Sequence, residues 1–256
     1  MLLKPERTKD EIVQWIRRYF EENGAGCSAV IGISGGKDSS VAAALCEEAL
    51  GRDRVIGVLM PNGIQTDIEC ARMLVQHLKI RSMEINISET VTALSDAVAG
   101  NPVLQEISGN GKLSEDAKTN LPARVRMATL YAVSQMLPGG GRVVNTCNRS
   151  EDYVGYSTKY GDAAGDFSPL SNLLVHEVKQ LGEVLGLPPA LIEKTPSDGL
   201  SGLSDDDKLG FTYERLDNYI LYGICEDEAV KKKIDALYVR NLHKIQSMPA
   251  YILSED

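Results

Sequence analysis

Apolar residues recur at helical spacing early in the chain, as Ile12, Trp15, Ile16, Tyr19 and Phe20, and predict an opening helix. Thr8 and Glu11 have the spacing of a capping box and place its start near Thr8, while Gly24 ends it. The pattern then alternates. Ser28 to Ser34 (SAVIGIS) and Arg54 to Met60 (RVIGVLM) read as buried strands, with an Ala-rich helix from Asp38 to Leu50 between them. A helix from about Thr66 to Leu78, a strand from Arg81 to Ile87 and a helix from Glu89 to Val98 continue the alternation. Strands separated by helices of this length imply parallel pairing through right-handed crossovers. The expected fold is α/β, a doubly wound, mostly parallel sheet with flanking helices, Rossmann-like, in one domain over residues 1–256.

Gly100 to Asn120 is rich in Gly, Asn and Ser and longer than most connections, which predicts a mobile or functional stretch. A helix from Pro122 to Met136, with Pro122 in its first turn, and a strand from Gly141 to Thr146 follow. The pattern then changes to a polar run, Cys147 to Ser171. Helices are predicted around Val175 to Leu185, Thr212 to Leu221 and Asp227 to Ile245. A polar run after a strand's carboxyl end is where open α/β sheets bind ligands.

Composition narrows the function classes. A net charge of -9 gives no basic field to draw the chain onto nucleic acid or an anionic membrane. No apolar leader and no long apolar run occur, so a soluble cytoplasmic protein is expected. The five cysteines are scattered, without metal-ligand spacing, and read as reduced thiols. His77, His176 and His243 lie in no recognisable nucleophile motif, which disfavours a hydrolase triad.

The most informative segment is Ser34-Gly35-Gly36-Lys37-Asp38-Ser39-Ser40, set between a strand and a helix, where amides and the helix dipole converge on an anion. It is neither a Walker loop nor a GxGxxG fingerprint. A carboxylate among phosphates repels them unless a divalent cation lies between, so Asp38 is better explained as a Mg²⁺ ligand than as a helix cap. Glu151 could complete that metal site, and Arg124 and Lys159 offer cations to an acidic ligand; read alone, both could equally be solvated surface charges.

The loop resembles the SGGxDS loop of the ATP pyrophosphatases, which cleave ATP between the α- and β-phosphates. Thr146-Cys147-Asn148-Arg149-Ser150-Glu151, Gly155-Tyr156-Ser157-Thr158-Lys159-Tyr160-Gly161-Asp162 and Asp166-Phe167-Ser168-Pro169-Leu170 narrow the resemblance. With Ala123-Arg124-Val125-Arg126-Met127, Lys194-Thr195-Pro196-Ser197 and His243-Lys244, they make nearly the whole chain similar to the ammonia-dependent NAD synthetases, of adenine nucleotide alpha hydrolase-like fold. That resemblance implies an ATP site at Gly32, Ile33, Ser34, Gly35, Gly36, Lys37, Asp38 and Ser39, with Thr146 and Ser197 near it. It implies Mg²⁺ on Asp38 and Glu151, and deamido-NAD on Arg124, Lys159, Asp166, His243 and Lys244. Lys37, Asp38 and Asp162 are the implied catalytic residues, and a homodimer binding the dinucleotide across its interface is the implied assembly. The implied reaction adenylates deamido-NAD and then amidates it with ammonia, since the chain leaves no room for a glutaminase domain; a separate glutaminase subunit as the ammonia source stays open.

Two departures stand out. Many relatives have a phosphate-binding lysine where this chain has Val175, beside His176; Lys37, Lys179 or fuller neutralisation by a metal ion is the expected substitute. Pro122 also replaces a residue that is often lysine. The Gly199 to Gly210 segment reads equally as a loop ordering over substrate and as a solvated acidic linker. Rival readings on the same phosphate loop are a GMP-synthetase-like or tRNA-modifying ligase and a non-catalytic ATP-binding sensor.

Overall fold

The computed structural model describes residue 2, residues 4–194 and residues 205–253. Four parallel strands, β1 (Ser28–Gly32), β2 (Val55–Leu59), β3 (Arg81–Glu84) and β4 (Gly141–Val143), form one sheet in the order β3-β2-β1-β4. From β1 the chain passes outward through α2 (Lys37–Leu50) to β2 and through α3 (Ile68–Leu78) to β3. It then returns to the far side of β1 to make β4, which pairs Ser28 with Gly141 and Val30 with Val143. The direction of winding thus reverses between β1 and β4, and such a reversal opens a crevice beyond the strands' carboxyl ends.

Strand alternation sends side chains to both faces of the sheet. Ala29, Ile31, Val55 and Leu59 join Val13, Ile16 and Phe20 of α1 (Pro5–Asn23), Val41 and Leu45 of α2, Leu74 of α3, and Val178 and Leu181 of α8 (Val175–Val184). Val30, Ile56 and Val58 pack on the other face with Val125 and Val133 of α6 (Glu115–Met136). The centre of the sheet is covered on both sides, as the apolar runs of β1 and β2 require, whereas the edge strand β3 is exposed along its length. Each large core side chain contributes roughly 1.5–3 kcal/mol by leaving water.

Several boundaries differ from the expectations. Pro5 starts α1, its fixed φ suiting the first turn, and Thr8 sits inside the helix with Oγ1 donating to the Lys4 carbonyl at 3.3 Å. The Gly100 to Asn120 stretch, read as mobile or functional, holds α5 (Pro102–Ser108), capped by the Asn101 side chain, and the first turn of α6. Pro122 is therefore inside a helix and not at its start. The Ser114 cap and the acidic Glu115 and Asp116 begin α6 seven residues earlier than expected, and they outweigh the helix bond that Pro122 forfeits. β4 stops at Val143 because the Asn145 side chain accepts the Cys147 amide at 2.9 Å and turns the chain out of the sheet.

The remaining helices are α4 (Ser88–Ala99), α7 (Arg149–Val154), α9 (Pro189–Ile192), α10 (Asp205–Leu209), α11 (Tyr213–Tyr222) and α12 (Glu228–Ile245). Val154, Val175, Leu209, Phe211, Tyr213, Leu216, Val230 and Ile234 form an apolar cluster that joins α7, α8 and α10 to α12. This cluster stands beside the β1/β4 crevice and walls one side of it.

Candidate active site

The turn from β1 into α2 is tightly determined. Gly35 has φ +77°, and a Cβ there would lie 2.5 Å from the Ala71 amide nitrogen, so a side chain is excluded. Ser34 and Ser39 hydroxyls meet at 3.0 Å, the Gly36 amide donates to Ser34 Oγ at 3.2 Å, and Ser40 Oγ donates to the Gly36 carbonyl at 2.7 Å. The N-cap of α2 is Gly36, which has no side chain to satisfy the first-turn amides, so the positive end of the dipole is open to an anion.

Two carboxylates meet above this turn. Asp38 accepts from Lys37 Nζ at 2.8 Å through one oxygen and from Asn148 Nδ2 at 2.9 Å through the other. Asn148 is also the N-cap of α7: its Oδ1 accepts the Glu151 amide at 3.0 Å, and its own amide donates to Glu151 Oε2 at 3.4 Å. One buried asparagine therefore fixes Asp38 and Glu151 relative to each other. Ser150 extends the support, donating to Asp217 Oδ1 of α11, whose other oxygen meets His176 Nδ1 at 2.7 Å.

A cavity of about 820 Å³ opens at the carboxyl ends of the strands. Gly32, Ile33, Ser34, Gly36, Lys37, Asp38, Thr146, Glu151, Asp162 and Lys244 all line it. Gly35 and Ser39 shape the turn without lining the cavity. Ser197 lies outside the described residues. Asp162 is open to the cavity's water yet surrounded by protein, and this enclosure raises its carboxyl above the ordinary range, against the pull of the Thr158 amide at 2.9 Å. Lys244 donates to the Gly155 carbonyl at 2.8 Å; enclosure lowers its pKa while Asp162 opposes the shift.

A model of the NAD synthase family matches residues 8–254. The chain belongs to the NAD synthase family. Membership makes it a ligase, and the GMP-synthetase-like reading loses its ground. A relative from Pyrococcus furiosus, described as an NH3-dependent NAD synthetase, is 36% identical over 88% of this chain and 82% of its own length. Among solved structures, an NMN synthetase from Francisella tularensis superposes with a TM-score of 0.84 at 30% identity, covering 97% of this chain and 99% of that one. An NH3-dependent NAD synthetase from Campylobacter jejuni gives 0.75 at 26% identity, covering 98% and 100%.

The residues expected on the dinucleotide divide into two groups. Lys244 alone lines the cavity. Arg124, Lys159 and His243 lie together outside it: Arg124 Nε donates to the Lys159 carbonyl at 3.3 Å, and Lys159 Nζ to the His243 carbonyl at 2.7 Å. The structure does not bring Asp166 to either group. Its carboxylate accepts the Val143 amide at 2.7 Å and the Tyr131 hydroxyl at 3.2 Å, joining the end of β4 to α6. Lys179 is also set aside as a phosphate ligand, because it pairs with Glu193 at 2.9 Å and does not line the cavity.

The sequence reading missed Asp67 and Lys208 of this cavity, and it named Arg126, Asn148 and Lys194 only as parts of motifs. Lys194 Nζ reaches Asp67 Oδ2 at 2.5 Å across the cavity rim, and Arg126 Nε donates to the Met60 carbonyl at 3.1 Å. Desolvation lowers the Arg126 pKa, with Asp162 opposing it. Arg126 could have been found from its place in the quoted ARVRM segment, one helical turn from Ala123 on the same side. Asp67 carried no local signal.

Proposed function

We propose that the chain is an NH3-dependent NAD synthetase, which adenylates the nicotinate carboxylate of deamido-NAD with Mg-ATP and then transfers ammonia. The observation that carries the reading is the Asp38–Asn148–Glu151 bridge over the open end of α2. A non-catalytic ATP sensor needs the loop but not a second carboxylate held opposite the first.

The donor set suits magnesium. Among the described residues no group of three or more His, Cys, Asp or Glu could hold a metal. Two carboxylates suit an ion that keeps several waters and takes its other oxygens from substrate phosphates. When bound, the ion neutralises phosphate charge; the remaining work falls to the chain. Lys37 and the first amides of α2 hold the leaving pyrophosphate as the substrate carboxylate attacks the α-phosphorus and the bond to the bridging oxygen breaks. Asp162 and Lys244, at the same cavity, orient the acyl group. Neutral ammonia then bonds to the acyl carbon, AMP leaves with the electron pair of the broken C–O bond, and the nitrogen gives up one proton to solvent to leave the amide. Covalent attachment to the enzyme is not required.

Arg124, Lys159 and His243 lie outside the cavity of one chain, which supports a homodimer in which a second copy closes over the far half of the dinucleotide. Val98, Val103 and Ile107 on α4 and α5 are exposed apolar residues that such a partner could cover. Among the described residues no helix is long and apolar enough to cross a membrane, in keeping with a cytoplasmic enzyme.

The likeness to the Francisella NMN synthetase favours a second reading, in which nicotinic acid mononucleotide is the acid amidated. Lys244 being the sole expected dinucleotide contact in the cavity is consistent with it. The test offers purified chain Mg-ATP and ammonium with each acid in turn and follows AMP and amide. Higher kcat/KM for deamido-NAD supports the first reading, higher kcat/KM for the mononucleotide the second, and ADP release or indifference to both acids removes both.

A further inference from the structure

One face of α12 brings two cations to the cavity. Leu237, Arg240, Asn241 and Lys244 all line it, at the spacing of a single stripe along a helix. Two of them tie this face to the end of α7: Asn241 Nδ2 donates to the Val154 carbonyl at 2.9 Å, and Lys244 Nζ to the Gly155 carbonyl at 2.8 Å. Arg240 is exposed beside them, and among the described residues its guanidinium makes no hydrogen bond or ion pair. The residues one turn away on α12 are Ala236, Leu237, His243 and Lys244, so the helix offers it no carboxylate. Like charges four positions apart destabilise a helix. Enclosure is the main force lowering the Lys244 pKa, and the Arg240 charge adds to it. An anion bound between them relieves that repulsion. The other cavity cations are engaged: Lys37 with Asp38, Lys194 with Asp67 and Arg126 with the Met60 carbonyl, and Lys208 too has a partner.

We propose that Arg240 binds the phosphate of the nicotinate ribotide in the acid substrate, the part that deamido-NAD and nicotinic acid mononucleotide share. This rests on the amide-ligase reading given above. Its place along α7 separates this anion from the phosphates of ATP. α7 is six residues long, roughly 9 Å. Asn148 and Glu151 lie in its first turn, over Asp38, whereas Val154 and Gly155 at its other end meet Asn241 and Lys244. The ribotide carries its carboxylate on the ring and its phosphate on the far side of the ribose. With the acyl group at Asp162 and Lys244, the phosphate lies toward the next turn of α12, which carries Arg240. A guanidinium presents paired N–H groups that match two phosphate oxygens, and an arginine without a competing carboxylate keeps them available.

Steady-state kinetics of the full chain with each acid, at saturating ammonium, tests this. For whichever acid the parent amidates, Arg240→Ala is expected to raise KM by about tenfold or more, the loss of one charge-assisted contact, with kcat and the KM for Mg-ATP kept. Arg240→Lys should recover part of the loss, and Lys232→Ala, which removes an exposed charge of α12 away from the cavity, should behave as the parent. Inhibition by nicotinic acid riboside, which lacks the phosphate, should be the same in parent and Arg240→Ala. An unchanged KM for the acid, an equal rise in the KM for Mg-ATP, or riboside inhibition that weakens in step with the acid overturns the assignment and leaves the ligase reading intact. A parent chain that amidates neither acid overturns both.

Discussion

Asn148 donates to Asp38 across 110 positions of sequence, and the same side chain caps the helix that carries Glu151. The distance between two acidic groups from separate halves of the fold is thus set by one neutral amide. Removing it takes from the Asp38 carboxylate its contact with α7 and from α7 its cap, while the Glu151 carboxylate keeps the backbone amide of residue 148. Asn148→Ala is expected to raise the magnesium concentration for half-maximal activity by about 10- to 100-fold, as loss of a ligand's supporting hydrogen bond does elsewhere. The lost cap should cost about 1 kcal/mol of stability. Magnesium titration of activity, beside urea denaturation, measures the two effects separately; an unchanged magnesium dependence would remove Asn148 from this role.

Asp38→Asn keeps the shape of the side chain and the contact with Asn148, but it removes the charge that meets Lys37. Deamido-NAD-dependent pyrophosphate release is expected to fall by about 100-fold or more, with the circular dichroism spectrum preserved. Activity near that of the parent would place the metal elsewhere.

Asp152 sits half-buried beside the site, and desolvation raises its carboxyl from 3.8 to about 6. An acid whose folded pKa is raised loses stability as pH rises: between about 4 and 6 the unfolded chain gives up the proton while the folded chain keeps it, and above 6 the cost is complete. Asp152→Asn should therefore melt higher than the parent above pH 6, with the difference closing below pH 4. A difference that is flat with pH would refute this account.

Gly155 turns the end of α7 at φ +61°, and any Cβ there would overlap the Asn241 side chain of α12. Gly155→Ala is expected to cost about 1–3 kcal/mol from strained backbone alone, and more from the overlap. Because Lys244 holds the Gly155 carbonyl, the variant should also raise KM for the acid substrate. Denaturation that matches the parent would show the α7–α12 joint to be looser than drawn.

Much of this protein was legible in one dimension. Continuous apolar runs alternating with helical stretches pointed to the parallel sheet, because a strand covered on both faces must be apolar throughout. Gly35, Gly36 and Asp38 determined the shape of the turn into α2, since a positive φ, an open helix end and a carboxylate are local properties of adjacent residues. The block from Thr146 to Asp162 was equally local, and Thr146, Glu151 and Asp162 from it line the cavity. Pro122 was misread because a strong cap at Ser114 decides where a helix begins, and a proline seven residues into it only weakens what the cap has set.

Tertiary structure alone decided what each charge faces. Lys194 meets Asp67, Arg126 meets the carbonyl after β2, and Asp166 is consumed in joining β4 to α6, although nothing in their neighbouring residues announces these partners. A hydrogen bond or ion pair depends on distances of a few ångströms between groups that are far apart along the chain. Those distances exist only after the sheet and its helices have closed around the cavity.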